Sequence, residues 1–518
     1  LDIEVRLPIP SSKVMSASVK PRLAGRQPSF RGGVPRVKTW RRRAVDASAG
    51  LHARAHGLTE HPMSLSHTVF SPNTATDLPG TEPLLPVVGA RLRAPLVTGG
   101  EVRYANLDLA ASAPALVAVA QRVAAALPHY ASVHRGAGWA SHVSTALLES
   151  SRATIGRFVG ARAGDVVVLT RNTTDALNLL AACVPDHGDV VVLDLEHHAN
   201  LLPWQRGRHR VVPVRRTLEQ TLAALDAALG EQHAALLAVT GASNVTGEEL
   251  PVDRLVSLAH AHGTRVVVDA AQLAPHRRLD LAASGVDYIA LSGHKLYAPY
   301  GTGALIGRRD WLDQGRPWLA GGGAVTSVEL ERTRWACAPA RHEAGTPNVI
   351  GAAALAAACE ALSALPEAAL EVHEAALRAR LVDGLAGLTG VTVHRVFDDA
   401  PSSIGVVTFT VDGVEAGLVA AYLSAEHGIG VRDGKFCAHP LLARLGLPDG
   451  AVRASLGVSS RSADVDRLVD ALGELLVHGP SWTYGLVEGR WAPVPDPRPL
   501  PDWAQGAPSS VGAAPCGD

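Results

Sequence analysis

Lys295 and Asp269 close two successive apolar runs of this sequence, in Ser292-Gly293-His294-Lys295 and Asp269-Ala270-Ala271-Gln272. An amine can carry an aldehyde as an imine, and a carboxylate can keep a pyridine nitrogen protonated so that the ring accepts electrons. Those are the two groups that pyridoxal 5′-phosphate (PLP) needs from a protein. A lysine after a strand is most often a surface lysine, so the pair takes its meaning from its company. Glu196-His197-His198-Ala199-Asn200 follows another apolar run and puts an imidazole, His197, where it could stack on a ring. Asn172-Thr173-Thr174-Asp175 lies between a run and a helical period. Its hydroxyls and the free N–H groups of a helix start can cup a phosphate, although plain N-capping also explains a threonine there. Asn244, in Ser243-Asn244-Val245-Thr246-Gly247, offers a short amide or simply makes a turn. Arg453 offers a fork that suits a carboxylate bidentately, or a surface ion pair. Cys437, with Lys435 close by to favour its thiolate, is either a nucleophile or an inert packed thiol.

The elements that must position these groups are legible as alternating short β-branched runs and Ala/Leu-rich helical periods from about residue 101 to 479. Strands are expected at 166–170, 190–195, 234–240, 265–269 and 288–292, with helices near 175–182, 217–229 and 252–262. Strands spaced by helices mean βαβ units and a mostly parallel sheet, whose ligands sit outside the carboxyl ends of the strands. After Gly345-Thr346-Pro347-Asn348 the pattern changes to two long helices (349–365 and 367–388) parted by Pro366. Strands near 391–396, 404–411 and 430–432 and helices at 415–427 and 463–477 complete a smaller α+β domain. Residues 479–518 hold eight prolines and three tryptophans, read as an extended tail packing its aromatics on the body.

Composition narrows the function. The 518 residues are 47% hydrophobic with a formal net charge of −1, which advertises neither nucleic acid nor an anionic membrane as partner. The longest apolar stretch, 349–362, is too short to span a bilayer and is broken by Glu360. Five scattered cysteines without a C-x-x-C pair fit neither a disulfide framework nor a zinc site, and point to a reducing cytoplasm with no metal. Residues 1–62 carry 12 Lys and Arg against 4 Asp and Glu and show no sustained period. A transit peptide and a basic nucleic-acid tail compete with an extended gene start ahead of Met63, and the last is the preferred reading.

From about Tyr104 to Val477 the sequence resembles the class V aminotransferases, and within them the cysteine desulfurase/selenocysteine lyase branch of SUF type. The blocks that carry the resemblance are Leu107-Asp108…Ala110-Ala111-Ser112, Val133-His134-Arg135-Gly136, Thr173-Thr174, Glu196–Asn200 with Pro203-Trp204-Gln205, and Ser243-Asn244-Val245. They continue with Asp269…Gln272, Ser292–Tyr297, Gly321-Gly322-Gly323 and Glu343–Asn348. The resemblance implies an α/β protein of the type I PLP-dependent fold, acting as a homodimer. It implies Lys295 as the Schiff-base lysine, Asp269 at the pyridine nitrogen, Gln272 at the phenolic oxygen and His197 on the ring face. Thr174, Ser292 and His294 would bind phosphate, Thr173 and Asn244 would belong to the cofactor site, and Thr346 would reach the phosphate of the other subunit's cofactor. His134, Arg135 and Arg453 would serve the substrate, Arg453 by clamping an amino acid's α-carboxylate. Cys437 would attack the sulfur of a bound cysteine, giving alanine and an enzyme persulfide for a sulfur-acceptor protein. The sequence departs from the family where Lys435 and Phe436 stand in place of two histidines, and Leu109 in place of a small or polar residue.

The leading expectation is therefore a cysteine desulfurase. The alternatives are a class V aminotransferase, epimerase or lyase with Cys437 as bystander, and a PLP-binding regulator or scaffold. The expected domains are a leader (1–62), an N-terminal extension joining the small domain (63–112), a PLP-binding large domain (113–348), a small domain (349–478) and a tail (479–518).

Overall fold

The computed structural model describes residues 80–134, 136–185 and 189–504, so the basic leader and Arg135 lie outside the described residues. A seven-stranded sheet forms its centre. In spatial order its strands are Val166–Thr170, Gly303–Gly307, Tyr288–Ser292, Arg265–Asp269, Ala234–Thr240, Asp189–Leu193 and His209–Val212. Every residue of Ala234–Thr240 and Asp189–Leu193 is buried, as continuous apolar runs must be when helices cover both faces of a parallel sheet.

Gly303–Gly307 is the single antiparallel member and was not anticipated from the sequence. Three small or aliphatic residues between two glycines carry little strand signal on their own. Gly303 is required there: a Cβ would lie 2.5 Å from the Leu291 carbonyl and 2.7 Å from Asn172 Cα. That close passage sets the Asn172 loop beside Ser292. Register pairs Thr240 with Asp269, Asp269 with Ala290, Ser292 with Gly303 and Gly303 with Thr170, which lines up the strand ends along one edge.

A second, four-stranded antiparallel sheet runs Val391–His394, Val406–Val411, Ala451–Ser455, Arg432–Gly434. Helices Ala369–Ala386, Ala416–His427 and Ser462–His478 close a separate core over it, built from residues such as Leu381, Phe409, Leu423 and Leu472. The Ala-rich helix Val349–Ser363 packs instead on Trp139–Phe158 and buries Ala354, Leu355, Ala358 and Cys359 in the first core. Residues 105–106 pair with Ile429–Gly430 in a separate two-stranded sheet, tying the N-terminal segment to the stretch that leads into strand Arg432–Gly434.

The tail is more ordered than an extended segment. Tyr484–Val487 and Arg490–Pro493 form a hairpin whose turn residues, Glu488 (φ 50°) and Gly489 (φ 80°), both have the positive φ that two-residue hairpin loops prefer. Trp482 and Trp491 pack against the second core, whereas Trp503 is 89% exposed and does not pack on the body as expected. No described helix is long and apolar enough to cross a membrane.

Candidate active site

The strand ends open into a cavity of about 460 Å³ between the two sheets. Its lining includes Thr173, Thr174, His197, Asn244, Asp269, Gln272, Ser292, His294, Lys295, Cys437 and Arg453, all singled out from the sequence. His134 and Thr346 lie outside it. His134 is exposed and faces Glu149 at 2.9 Å, and Thr346 is exposed in the loop before helix Val349–Ser363. That loop is anchored by Glu343, which accepts from Arg152 at 2.6 and 2.9 Å and from the Leu169 N–H at 2.6 Å.

Lys295 follows a turn that only glycine allows: a Cβ on Gly293 would sit 2.4 Å from the Thr302 carbonyl. Burial holds the Lys295 ammonium down to about 8, with Asp269 pulling upward and Arg453 adding to the fall. About a tenth is thus the free amine at pH 7, far more than for an exposed lysine. Burial pushes the Asp269 carboxyl up, while the Ala271 N–H (2.9 Å) and Lys295 favour its ionised form.

His197 is set by its neighbours. Glu196 is fully buried and accepts from the Thr240 N–H (3.0 Å) and from Asn200 Nδ2 (2.7 Å), which fixes the turn that follows the strand. Within that turn His197 Nδ1 accepts from the Ala199 N–H at 3.0 Å, so the ring's remaining hydrogen belongs on Nε2. Burial, with Lys295 next in weight, lowers the imidazole to about 3, and the ring is neutral over the working pH range.

At the start of helix Thr173–Ala181, Asn172 caps by accepting from the Asp175 N–H (3.0 Å). Thr173 Oγ1 is buried and has no hydrogen-bond partner among the described residues. An anion seated on this helix start would fill that lack. Gln272 Nε2 donates to the Ala110 carbonyl at 2.9 Å, which positions its amide on the cavity wall.

Arg453 enters from the second sheet and is 3% exposed. Nη1 donates to the Asn244 carbonyl (2.8 Å) and Nη2 to Asp108 Oδ1 (3.1 Å), while Nε is buried without a partner among the described residues. Cys437 is half-buried on the same cavity. Phe436 (φ 53°) and Cys437 (φ 54°) both adopt the left-handed region, at about 1–3 kcal/mol each for non-glycine residues. Asn244 Nδ2 donates to the Phe436 carbonyl, and the His198 N–H to the Cys437 carbonyl, each at 2.8 Å. The amide of Asn244 thus holds the cysteine loop. The structure also adds lining residues that sequence reasoning left without a role, namely Asn172, Ser112, Arg432 and Phe436, while Lys435 does not line the cavity. Arg432 stands opposite Arg453 in the strand register, a proximity no local pattern encodes.

The sequence profile described as Aminotransferase class-V matches residues 105–468. The chain belongs to that family. It is 38% identical over 389 residues to a cysteine desulfurase of Dickeya dadantii, covering 73% of this chain and 92% of the relative. A cysteine desulfurase of Klebsiella pneumoniae is also 38% identical, over 73% of this chain and 94% of its own. Among solved structures, a cysteine desulfurase from Thermococcus onnurineus superposes with a TM-score of 0.67 at 33% identity, covering 72% of this chain and 94% of the other. An Escherichia coli cysteine desulfurase gives 0.65 at 33% identity with the same coverages. The fold is the type I fold of these PLP-dependent enzymes, as expected. Asp108, which steadies Arg453, falls inside the matched region and within a block already quoted for the resemblance.

Proposed function

We propose that this family member is a cysteine desulfurase that uses PLP, works as a homodimer in the cytoplasm, and passes sulfur from Cys437 to an acceptor protein. The observation that carries the reading is one cavity lined by an amine with a lowered pKa, a buried carboxylate, a half-unpartnered guanidinium and a cysteine.

The residues fit the cofactor. The orphaned Thr173 hydroxyl, with Thr174, Ser292 and His294, would hold its phosphate, Asp269 its ring nitrogen, Gln272 its phenolic oxygen and His197 its ring face. When bound, PLP supplies an aldehyde for the substrate amine and a ring that takes up electrons from the α-carbon. Arg453 binds the α-carboxylate through its remaining N–H groups, with Asp108 and Asn244 fixing its plane. Lys295 Nζ moves the α-proton, acting first as base and then as acid. Cys437 Sγ, as thiolate, attacks the substrate sulfur: an S–S bond forms, the C–S bond breaks, and the electron pair stays on carbon, which is protonated to alanine. Arg432 and Arg453 line the same cavity as the thiol, and Arg453 interacts with Cys437 electrostatically. Thr346, exposed and away from the chain's own cavity, would serve the second subunit, and His134 and Arg135 would serve the substrate.

The test is alanine released from L-cysteine plus a reductant by the purified enzyme and by Cys437→Ala in parallel. Alanine from the wild type and nearly none from the variant is the expected result. Equal alanine from both would refute the sulfur role. No alanine from either, with the cofactor band present, would favour an aminotransferase, whose mark is a persistent amine form of the cofactor that a 2-oxo acid discharges.

A further inference from the structure

We propose that the terminal hairpin, Tyr484–Val487 with Arg490–Pro493, braces the loop that carries Cys437, and that Trp491 is its positioning residue. The functional consequence rests on the role given to Cys437 above, but the mechanical claim does not. The hairpin lies beyond the 105–468 stretch that defines the family match, so this contact is an addition to the family core.

Helix Ala416–His427 is the intermediary. The hairpin packs on one side of it and strand Arg432–Gly434 on another. At its N-terminal end Trp491 Nε1 donates to Glu415 Oε2 at 2.9 Å. At its C-terminal end Glu426 accepts from the Ser481 N–H (3.0 Å), the Trp482 N–H (3.1 Å) and the Tyr484 hydroxyl (3.0 Å). The tail therefore pins both ends of the helix. Gly417 marks where tail, helix and strand converge: a Cβ there would stand 3.0 Å from Trp491 Cδ1 and 3.4 Å from Asp433 Oδ2. A methyl there would crowd the indole, which would have to give by a few tenths of an ångström, and would touch the Asp433 carboxylate.

Asp433 belongs to the strand that leads into the cysteine loop, and its neighbour Arg432 lines the cavity. The loop holds two consecutive non-glycine residues at positive φ, a conformation that persists only where the surroundings over-determine it. Asn244 and His198 restrain it from the large-sheet side. The helix held by the hairpin restrains the strand at its root. Placement matters because a nucleophile displaced by about 1 Å can lose about a hundredfold in rate.

The experiment uses the full-length holoenzyme and the variants Trp491→Ala and Trp491→Phe. Alkylation of Cys437 by iodoacetamide is followed by peptide mass, so that the exposed Cys337 is counted separately. Loosening the loop is expected to raise the Cys437 rate about threefold or more in Trp491→Ala, with Cys337 unchanged, by freer local opening. It should also lower kcat for alanine formation at unchanged KM. Trp491→Phe, which keeps a ring on Gly417, should fall between the two. If Trp491→Ala does not fold, Glu415→Ala removes the indole's partner without touching the hairpin and carries the same expectation. A wild-type alkylation rate and wild-type kcat in a folded variant, even with a lowered Tm, would overturn the brace. Should Cys437→Ala keep its alanine formation, the sulfur role falls while the alkylation contrast still decides the brace.

Discussion

Replacing Arg453 by lysine keeps a positive charge in the cavity and removes the fork. The wild-type guanidinium spends one N–H on the Asn244 carbonyl (2.8 Å) and one on Asp108 Oδ1 (3.1 Å). Three of its five N–H hydrogens remain for a carboxylate, with the Nε hydrogen among them. A lysine ammonium cannot serve the Asn244 carbonyl, Asp108 and both oxygens of a substrate carboxylate together. One charge-assisted bond to the substrate is therefore lost, at about 1.5–3 kcal/mol. With a factor of ten for each 1.4 kcal/mol, kcat/KM should drop roughly 10- to 140-fold. The loss should fall mainly on KM, because the carboxylate is held equally before and during the chemistry. The assay is steady-state product formation from L-cysteine and from cysteamine, which lacks the carboxylate. Arg453→Lys should lose its preference for L-cysteine by the same factor, with cysteamine turnover little changed. A kcat/KM for L-cysteine within about threefold of wild type, with the preference intact, would refute the assignment.

Two further expectations concern the cofactor side. His197 is held at about 3 by burial, against 6.5 when unfolded, so between those values the unfolded chain takes up a proton that the folded one refuses. Stability is then lost as pH falls through 6.5, and from pH 6.5 to 5.5 this group should account for about 1 kcal/mol. Urea unfolding at both pH values should show His197→Gln losing less than the wild type by that amount; equal losses would contradict it. Gly293→Ala places a methyl 2.4 Å from the Thr302 carbonyl and 3.1 Å from that of Ala298, so the turn before Lys295 must shift. The variant should fold with its visible cofactor absorbance largely gone, and full occupancy with full activity would show that the turn has room.

Much of this site was legible in the sequence because its parts are local. Apolar β-branched runs announce buried strands, and Lys295, Asp269, His197 and the Asn172–Asp175 segment each stand at the end of one. The strand ends at Thr170, Thr240, Asp269 and Ser292 were placed to the residue, since a strand stops where its apolar run meets Gly, Asp or Asn. What residues could do at those ends followed from their chemistry.

What tertiary structure decided is which distant groups share a surface. Arg453 reaches the cavity because its strand in the second sheet packs over the first sheet's strand ends, and Asp108 meets it through a bridge from an N-terminal segment. In the sequence Asn244 reads as a short amide or a loop turn, and only packing shows its side chain holding the Phe436 carbonyl while its own carbonyl holds Arg453. The inserted Gly303–Gly307 strand, the left-handed pair at Phe436 and Cys437 and the tail hairpin left no readable periodicity. Each is a conformation imposed by neighbours rather than preferred by its own residues. Side-chain type and spacing determine local elements through short-range sterics and burial, whereas meetings between elements depend on how two separate cores settle against each other, and that energy is spread over the whole chain.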